Sequence, residues 1–183
     1  IDLSGSVCGK ILKAEKTALL ASCEALAAAG DRFSIIGYRT ESGICCDENL
    51  KNIFETVKSF GEPYGAEIIS AINRLKGDGG TPSGDALDFA AAKLAAVDAK
   101  NRLIIHLTDG MPDGGFLSGF GAAEVRDAVK KAAGKGIKTY CVTINPKMHE
   151  HMDKMYAAGN WVLVSDIEKL PEKMIRLYRR LAS

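Results

Sequence analysis

The run Leu103-Ile104-Ile105-His106-Leu107 constrains the fold more than any other stretch, because it is almost wholly apolar and shows no alternation with polar positions. A strand solvated on one face alternates. A short unbroken run is instead expected at the centre of a parallel sheet covered on both faces. Parallel neighbours need crossover connections, usually helices. The run stops at Thr108-Asp109-Gly110, a polar turn at the carboxyl end of the predicted strand.

The rest of the chain supplies those crossovers. Gly9 to Ala29 is rich in Ala, Leu, Glu and Lys, with Leu12, Leu19, Cys23 and Leu26 at helical spacing and Gly30 as the stop. Arg32 to Arg39 has the composition of a buried strand, and Ile53 to Phe60 that of an edge strand. Ile68, Ile72 and Leu75 mark a helix, and Thr81-Pro82-Ser83 opens another that runs through Val97. After a Gly-rich loop from Met111 to Gly121 come a helix to Gly134, a strand from Ile137 to Ile144 and a helix from His149 to Ala158. A short strand from Trp161 to Val164 and a last helix from Pro171 to Leu181 complete the order.

Strands alternating with helices of this length predict an α/β fold: a doubly wound, mostly parallel central sheet flanked by helices on both faces, with one antiparallel edge strand. With 183 residues and no linker or repeat, the chain is expected to form a single domain over residues 1–183. Ile1-Asp2-Leu3 reads as the end of a strand already under way, so the expectation is the C-terminal part of a longer protein with its first strand truncated.

Composition narrows the function. Lys and Arg number 24 against 23 Asp and Glu, which argues against nucleic-acid binding driven by bulk charge. No apolar run approaches the roughly 20 residues that span a bilayer. The five cysteines fit no metal-ligand or disulfide framework, and free thiols predict a reducing, cytoplasmic setting. Neither Gly-x-x-x-x-Gly-Lys-Ser/Thr nor Gly-x-Gly-x-x-Gly after a strand is present, so nucleotide binding is not expected.

In doubly wound sheets, ligands bind beyond the carboxyl ends of the strands. Three polar segments are predicted to meet there: Asp2-Leu3-Ser4-Gly5-Ser6, Gly79-Gly80-Thr81-Pro82-Ser83 and Thr108-Asp109-Gly110. Asp2, Ser4, Ser6, Thr81 and Asp109 form an oxygen-only set of two carboxylates and three hydroxyls. Such hard donors favour Mg²⁺, with Mn²⁺ or Ca²⁺ as alternatives, over zinc or copper. Two carboxylates at most offset the ion's charge, leaving an open position suited to a partner's carboxylate. The bland alternative is that Asp2, Ser4 and Ser6 make only turn and N-cap hydrogen bonds.

These three segments, in this order, resemble the metal-ion-dependent adhesion site of von Willebrand factor type A domains. The resemblance implies that Ser4 and Ser6 are direct ligands, while Asp2, Thr81 and Asp109 coordinate directly or through water. Within the family the chain is most similar to the C-terminal domain of the NorD and CbbO activation proteins. That similarity rests on Phe60 to Gly65, Thr108 to Asp113, Gly136 to Ile144 and Leu170 to Leu181. It implies a non-enzymatic adaptor that works with a MoxR-type AAA+ ATPase on a client such as nitric oxide reductase. The competing class is a Mg²⁺-dependent hydrolase or phosphoryl-transfer enzyme using the same ion as Lewis acid; it lacks an obvious nucleophile or general base among the edge residues, with Ser4 or Ser6 as the conceivable nucleophile.

Other polar residues carry quieter expectations. His106 departs from the aliphatic residue expected there; alternation points it away from the face shared by Leu107 and Asp109, as a hydrogen-bonded core histidine. His149 and His151 lie on different helix faces and are not a zinc pair. Asp85 and Asp113 read as solvated carboxylates, and Cys45-Cys46 as ordinary thiols. The last helix places Leu170, Met174, Leu177 and Leu181 on one face, with a basic surround.

Overall fold

The computed structural model describes residues 1–41, 51–109, 120–144 and 149–182. Cys45-Cys46, Asp113, most of the Gly-rich loop and the side chains of His149 and Leu181 lie outside the described residues. The chain opens with Ile1–Leu3 and a 3-10 turn, Gly5–Val7. Then come α1 (Lys10–Ala28), β1 (Ile35–Thr40), β2 (Asn52–Lys58), α2 (Ala66–Arg74), α3 (Ser83–Ala95) and β3 (Arg102–Thr108). The remainder is α4 (Phe120–Gly134), β4 (Ile137–Thr143), α5 (His149–Tyr156), β5 (Trp161–Leu163) and α6 (Leu170–Ala182). Every predicted element is present, with ends shifted by a few residues.

β3, β4 and β5 are parallel neighbours in that order, while β1 pairs with β2 antiparallel. Ile1–Leu3 sits between β1 and β3. The Asp2 N–H donates to Leu107 O at 2.9 Å on one side, and on the other Leu3 N–H donates to Tyr38 O at 2.9 Å and Tyr38 N–H to Ile1 O at 3.1 Å. Three residues therefore stitch the antiparallel pair to the parallel triplet. An apolar cavity of about 500 Å³ is lined among others by Leu19, Leu26, Ile36, Leu103 and Met174.

Helices cover both faces, as the unbroken β3 run demanded. On one face Ala18 of α1 packs with Leu107, Tyr140, Val142 and α6's Leu170, Met174 and Leu177. On the other, Leu87 of α3, Val125 and Ala128 of α4 and Met152, Met155 and Tyr156 of α5 enclose Cys141. Neighbouring residues Leu107 and His106 thus serve opposite faces, as strand geometry requires. Burying each such large aliphatic side chain stabilises the fold by about 1.5–3 kcal/mol. The opposed faces leave the carboxyl ends of the seam and β3 at a common edge, where Asp2 and Asp109 emerge.

Candidate metal centre

The edge is assembled by backbone contacts between segments distant in sequence. Gly5 N–H donates to Gly79 O at 2.9 Å and Asp78 N–H to Leu3 O at 2.7 Å, pressing the loop before α3 against the loop after the seam. Thr40 holds the same loop from β1: its hydroxyl accepts from Gly80 N–H at 2.6 Å, and its N–H donates to Gly80 O at 3.2 Å. The approach is too close for a side chain at position 79. A Cβ there would stand 2.3 Å from Thr40 O, and the residue's φ of +69° is one that glycine tolerates. Thr81, two residues on, is buried at this edge.

The first segment turns back on itself. Asp2 Oδ1 accepts the Ser4 N–H at 2.9 Å, and Asp2 Oδ2 accepts the Thr108 hydroxyl at 2.6 Å. The second bond fixes the Asp2 carboxylate against the residue preceding Asp109. Asp2 is fully buried; Ser4, Thr81 and Asp109 are buried too, whereas Ser6 is exposed. Burial pushes the Asp2 carboxyl up from its usual range. The Thr108 and Ser4 donors pull it down, and the charge of Asp109 adds to the rise.

The donor chemistry fits a hard divalent ion. Ser4 Oγ and Ser6 Oγ are hydrogen-bonded to each other at 2.9 Å. In an octahedral Mg²⁺ shell, neighbouring oxygens on bonds near 2.0–2.1 Å are separated by about 2.9 Å. Nor are these hydroxyls used as helix caps: Ser4 precedes the 3-10 turn without a side-chain capping bond, and Gly9 is the N-cap of α1. The turn hydrogen bond of the bland alternative is present at Asp2; the capping bonds are not. Among the described residues no group of three or more His, Cys, Asp or Glu could hold a metal, so the chemistry at this edge rests on hydroxyls.

Two polar features of the interior lie close to the site. His106 is buried on the α3 and α5 face and bonded to two tyrosines, as a core histidine should be. Glu15 was not anticipated. It is fully buried on the inner face of α1, and neither carboxylate oxygen has a hydrogen-bond partner among the described residues. Burial drives its carboxyl well above the usual range, helped by the negative charges of Asp2 and Asp109. A sequence signal existed: Glu15 falls three residues after Leu12 and four before Leu19, inside the apolar stripe. Asp85, by contrast, accepts from Asn52 Nδ2 at 2.6 Å in an exposed pair, as a surface carboxylate does.

Fold and edge geometry together define a doubly wound domain with an oxygen-rich site at its sheet edge. The family model for the von Willebrand factor type A domain matches residues 1–174, and the chain belongs to that family. Its relatives include Protein NorD of Brucella suis, 33% identical over 177 residues that cover 94% of this chain and 27% of the relative. Among solved structures, a von Willebrand factor type A protein from Catenulispora acidiphila superposes with a TM-score of 0.68 at 22% identity, over 96% of this chain and 40% of that one. The PilB minor pilin of Streptococcus sanguinis gives 0.76 at 15% identity, over 98% and 59% respectively. The chain thus spans about a quarter of the length of its NorD relative. Domains of this family typically mediate protein–protein interaction. Among the described residues no helix is long and apolar enough to cross a membrane.

Proposed function

We propose that this domain is a divalent-cation-dependent protein-interaction module. Asp2, Ser4, Ser6, Thr81 and Asp109 would hold Mg²⁺, or Mn²⁺ or Ca²⁺ in its place. Bound there, the ion supplies an electrophilic position for an aspartate or glutamate side chain of a partner protein. The observation that carries this reading is the convergence of the Asp2 carboxylate, the Ser4 and Ser6 hydroxyls 2.9 Å apart and the segment leading into Asp109. The protein's own groups hold that arrangement: Thr108 orients one Asp2 oxygen, the Ser4 N–H orients the other, and the Thr40–Gly80 bonds hold the Thr81 loop.

The likeness to NorD supports a finer reading: an adaptor, in a cytoplasmic setting, that links a MoxR-type AAA+ ATPase to a client metalloenzyme such as nitric oxide reductase. A hydrolytic role gains no support from His106, whose imidazole is engaged by Tyr38 and Tyr156 on another face and is not available to Ser4 as a base. The test is calorimetric titration with Mg²⁺ followed by binding to a purified MoxR-type AAA+ ATPase. Binding lost in EDTA and in Asp109→Ala supports the bridge; binding retained under both conditions refutes it. Absence of heat with both Mg²⁺ and Mn²⁺ refutes the cation itself.

A further inference from the structure

A row of buried hydrogen-bonding side chains runs along the α3 and α5 face of the sheet, starting beside the candidate metal centre. The Ser83 hydroxyl, at the start of α3, lies 3.2 Å from the Tyr38 hydroxyl. Tyr38 Oη is 2.5 Å from His106 Nε2, and His106 Nδ1 is 2.5 Å from the Tyr156 hydroxyl at the end of α5. Cys141 on β4 packs in the same buried cluster as Tyr156. All five residues are buried.

The row carries no charge at ordinary pH. Burial pushes the imidazole down to about 3 and both tyrosines and the Cys141 thiol upward. A neutral imidazole has one N–H and one bare nitrogen. One tyrosine must therefore donate to the ring while the other accepts from it, and the choice propagates to both ends. With the proton on Nδ1, the ring donates to Tyr156, Tyr38 donates to Nε2, and Ser83 must donate to Tyr38. With the proton on Nε2, Tyr156 donates to Nδ1, the ring donates to Tyr38, and Tyr38 donates to Ser83. Either order satisfies every internal contact, so the row has two proton orderings on the same heavy-atom frame.

One end of the row adjoins the site. Ser83 N–H donates to Thr81 O at 2.8 Å, and the backbone of Tyr38 is paired with Asp2 through the seam. The other end, Tyr156 and Cys141, is on α5 and β4. Charge at the edge therefore acts along the row. Without a cation, the Asp2 and Asp109 carboxylates favour hydrogens pointing toward them, which is the Nε2–H ordering. A divalent cation reverses the field and favours oxygen lone pairs toward the edge, which is the Nδ1–H ordering. In a buried row this field is weakly screened.

We propose that Ser83, Tyr38, His106 and Tyr156 form a two-state relay in which cation binding at the edge moves the His106 proton from Nε2 to Nδ1. His106 and Tyr156 are then positioning residues that act on the site through Tyr38 and Ser83. The inference rests on the cation-binding reading above and adds a consequence of it. By linkage, a cation that shifts the tautomer ratio by some factor binds the favoured tautomer more tightly by that factor.

The deciding measurement is nitrogen-15 NMR of the His106 ring in the labelled protein during Mg²⁺ titration, with calorimetry on the same sample. The expected result is a ring protonated on Nε2 without metal and on Nδ1 at saturation. Tyr156→Phe, which deletes one hydroxyl far from the edge, is expected to hold the Nε2–H form throughout and to weaken Mg²⁺ binding by about fivefold, the low end of coupling between sites. The same ring nitrogen protonated with and without Mg²⁺, while calorimetry records binding, overturns the relay and leaves the cation site standing. A flat calorimetric trace with Mg²⁺ and Mn²⁺ overturns both. The wild-type titration decides the matter even if the variant does not fold.

Discussion

Two polar clusters lie a few residues apart along β3, and they treat their polar atoms in opposite ways. In the interior row, each contact from Ser83 to Tyr156 is made between uncharged groups. At the edge, two carboxylates sit near one another, Asp2 is pushed up by burial and by Asp109, and Ser6 opens the cluster to solvent. A neutral network stabilises and orients. Concentrated negative charge with hydroxyls arranged around it is poised for a cation. Polarity alone marks neither as functional; the buried carboxylates at the edge separate them.

The sharpest way to break this contrast is to remove charge at the edge. Asp109→Ala is expected to weaken Mg²⁺ binding by about a hundredfold or more, read by calorimetry, with the fold retained by circular dichroism. A variant that binds Mg²⁺ like the wild type would dissolve the distinction. The converse test deletes the centre of the interior row. His106→Leu leaves the buried Tyr38 and Tyr156 hydroxyls without the ring, so a stability loss of about 2–4 kcal/mol is expected in urea unfolding. A loss below the error of the measurement would mean that the ring does not hold the two tyrosine hydroxyls as described.

Smaller effects sharpen the boundary between the two. Thr108→Val removes the donor to Asp2 Oδ2 and is expected to weaken Mg²⁺ binding by about tenfold while changing stability less than His106→Leu does. A different kind of effect belongs to Glu15, whose carboxyl holds its proton more tightly folded than unfolded. Its contribution is intact below the ordinary value of 4.5 and is lost as pH rises toward the raised folded value. Glu15→Gln cannot ionise. Its stability relative to the wild type should therefore grow as pH rises from about 4.5, by about 1.4 kcal/mol for each unit of upward shift. A pH-independent difference in unfolding free energy would show that the Glu15 carboxyl titrates alike in the folded and unfolded states.

The layered fold was legible because short-range patterns carry it. An unbroken apolar run such as Leu103 to Leu107 has few places to go except the middle of a covered sheet, and helical stripes such as Leu12, Leu19 and Cys23 supply the cover. The edge segments were legible for a related reason: the polar turns Asp2 to Ser6 and Thr108 to Gly110 follow strands, and strand ends in such sheets point to one side. What the sequence concealed depends on contacts between distant residues. That the partners of His106 are Tyr38, 68 residues away, and Tyr156, 50 away, follows from strand order and helix placement, which periodicity does not encode. The same is true of Thr108 and Asp2, 106 residues apart. Glu15 was hidden differently: its spacing placed it in the stripe, but its charge suggested solvent.

The seam formed by Ile1–Leu3 also has a mechanical side. It is the shared border of the two half-sheets, and Asp2 lies in its middle. A load that draws this segment out along its own axis shears its bonds to Tyr38 and Leu107 together. The half-sheets then part at the moment the edge loses its first carboxylate. Cohesion of the sheet and integrity of the edge would fail as one event.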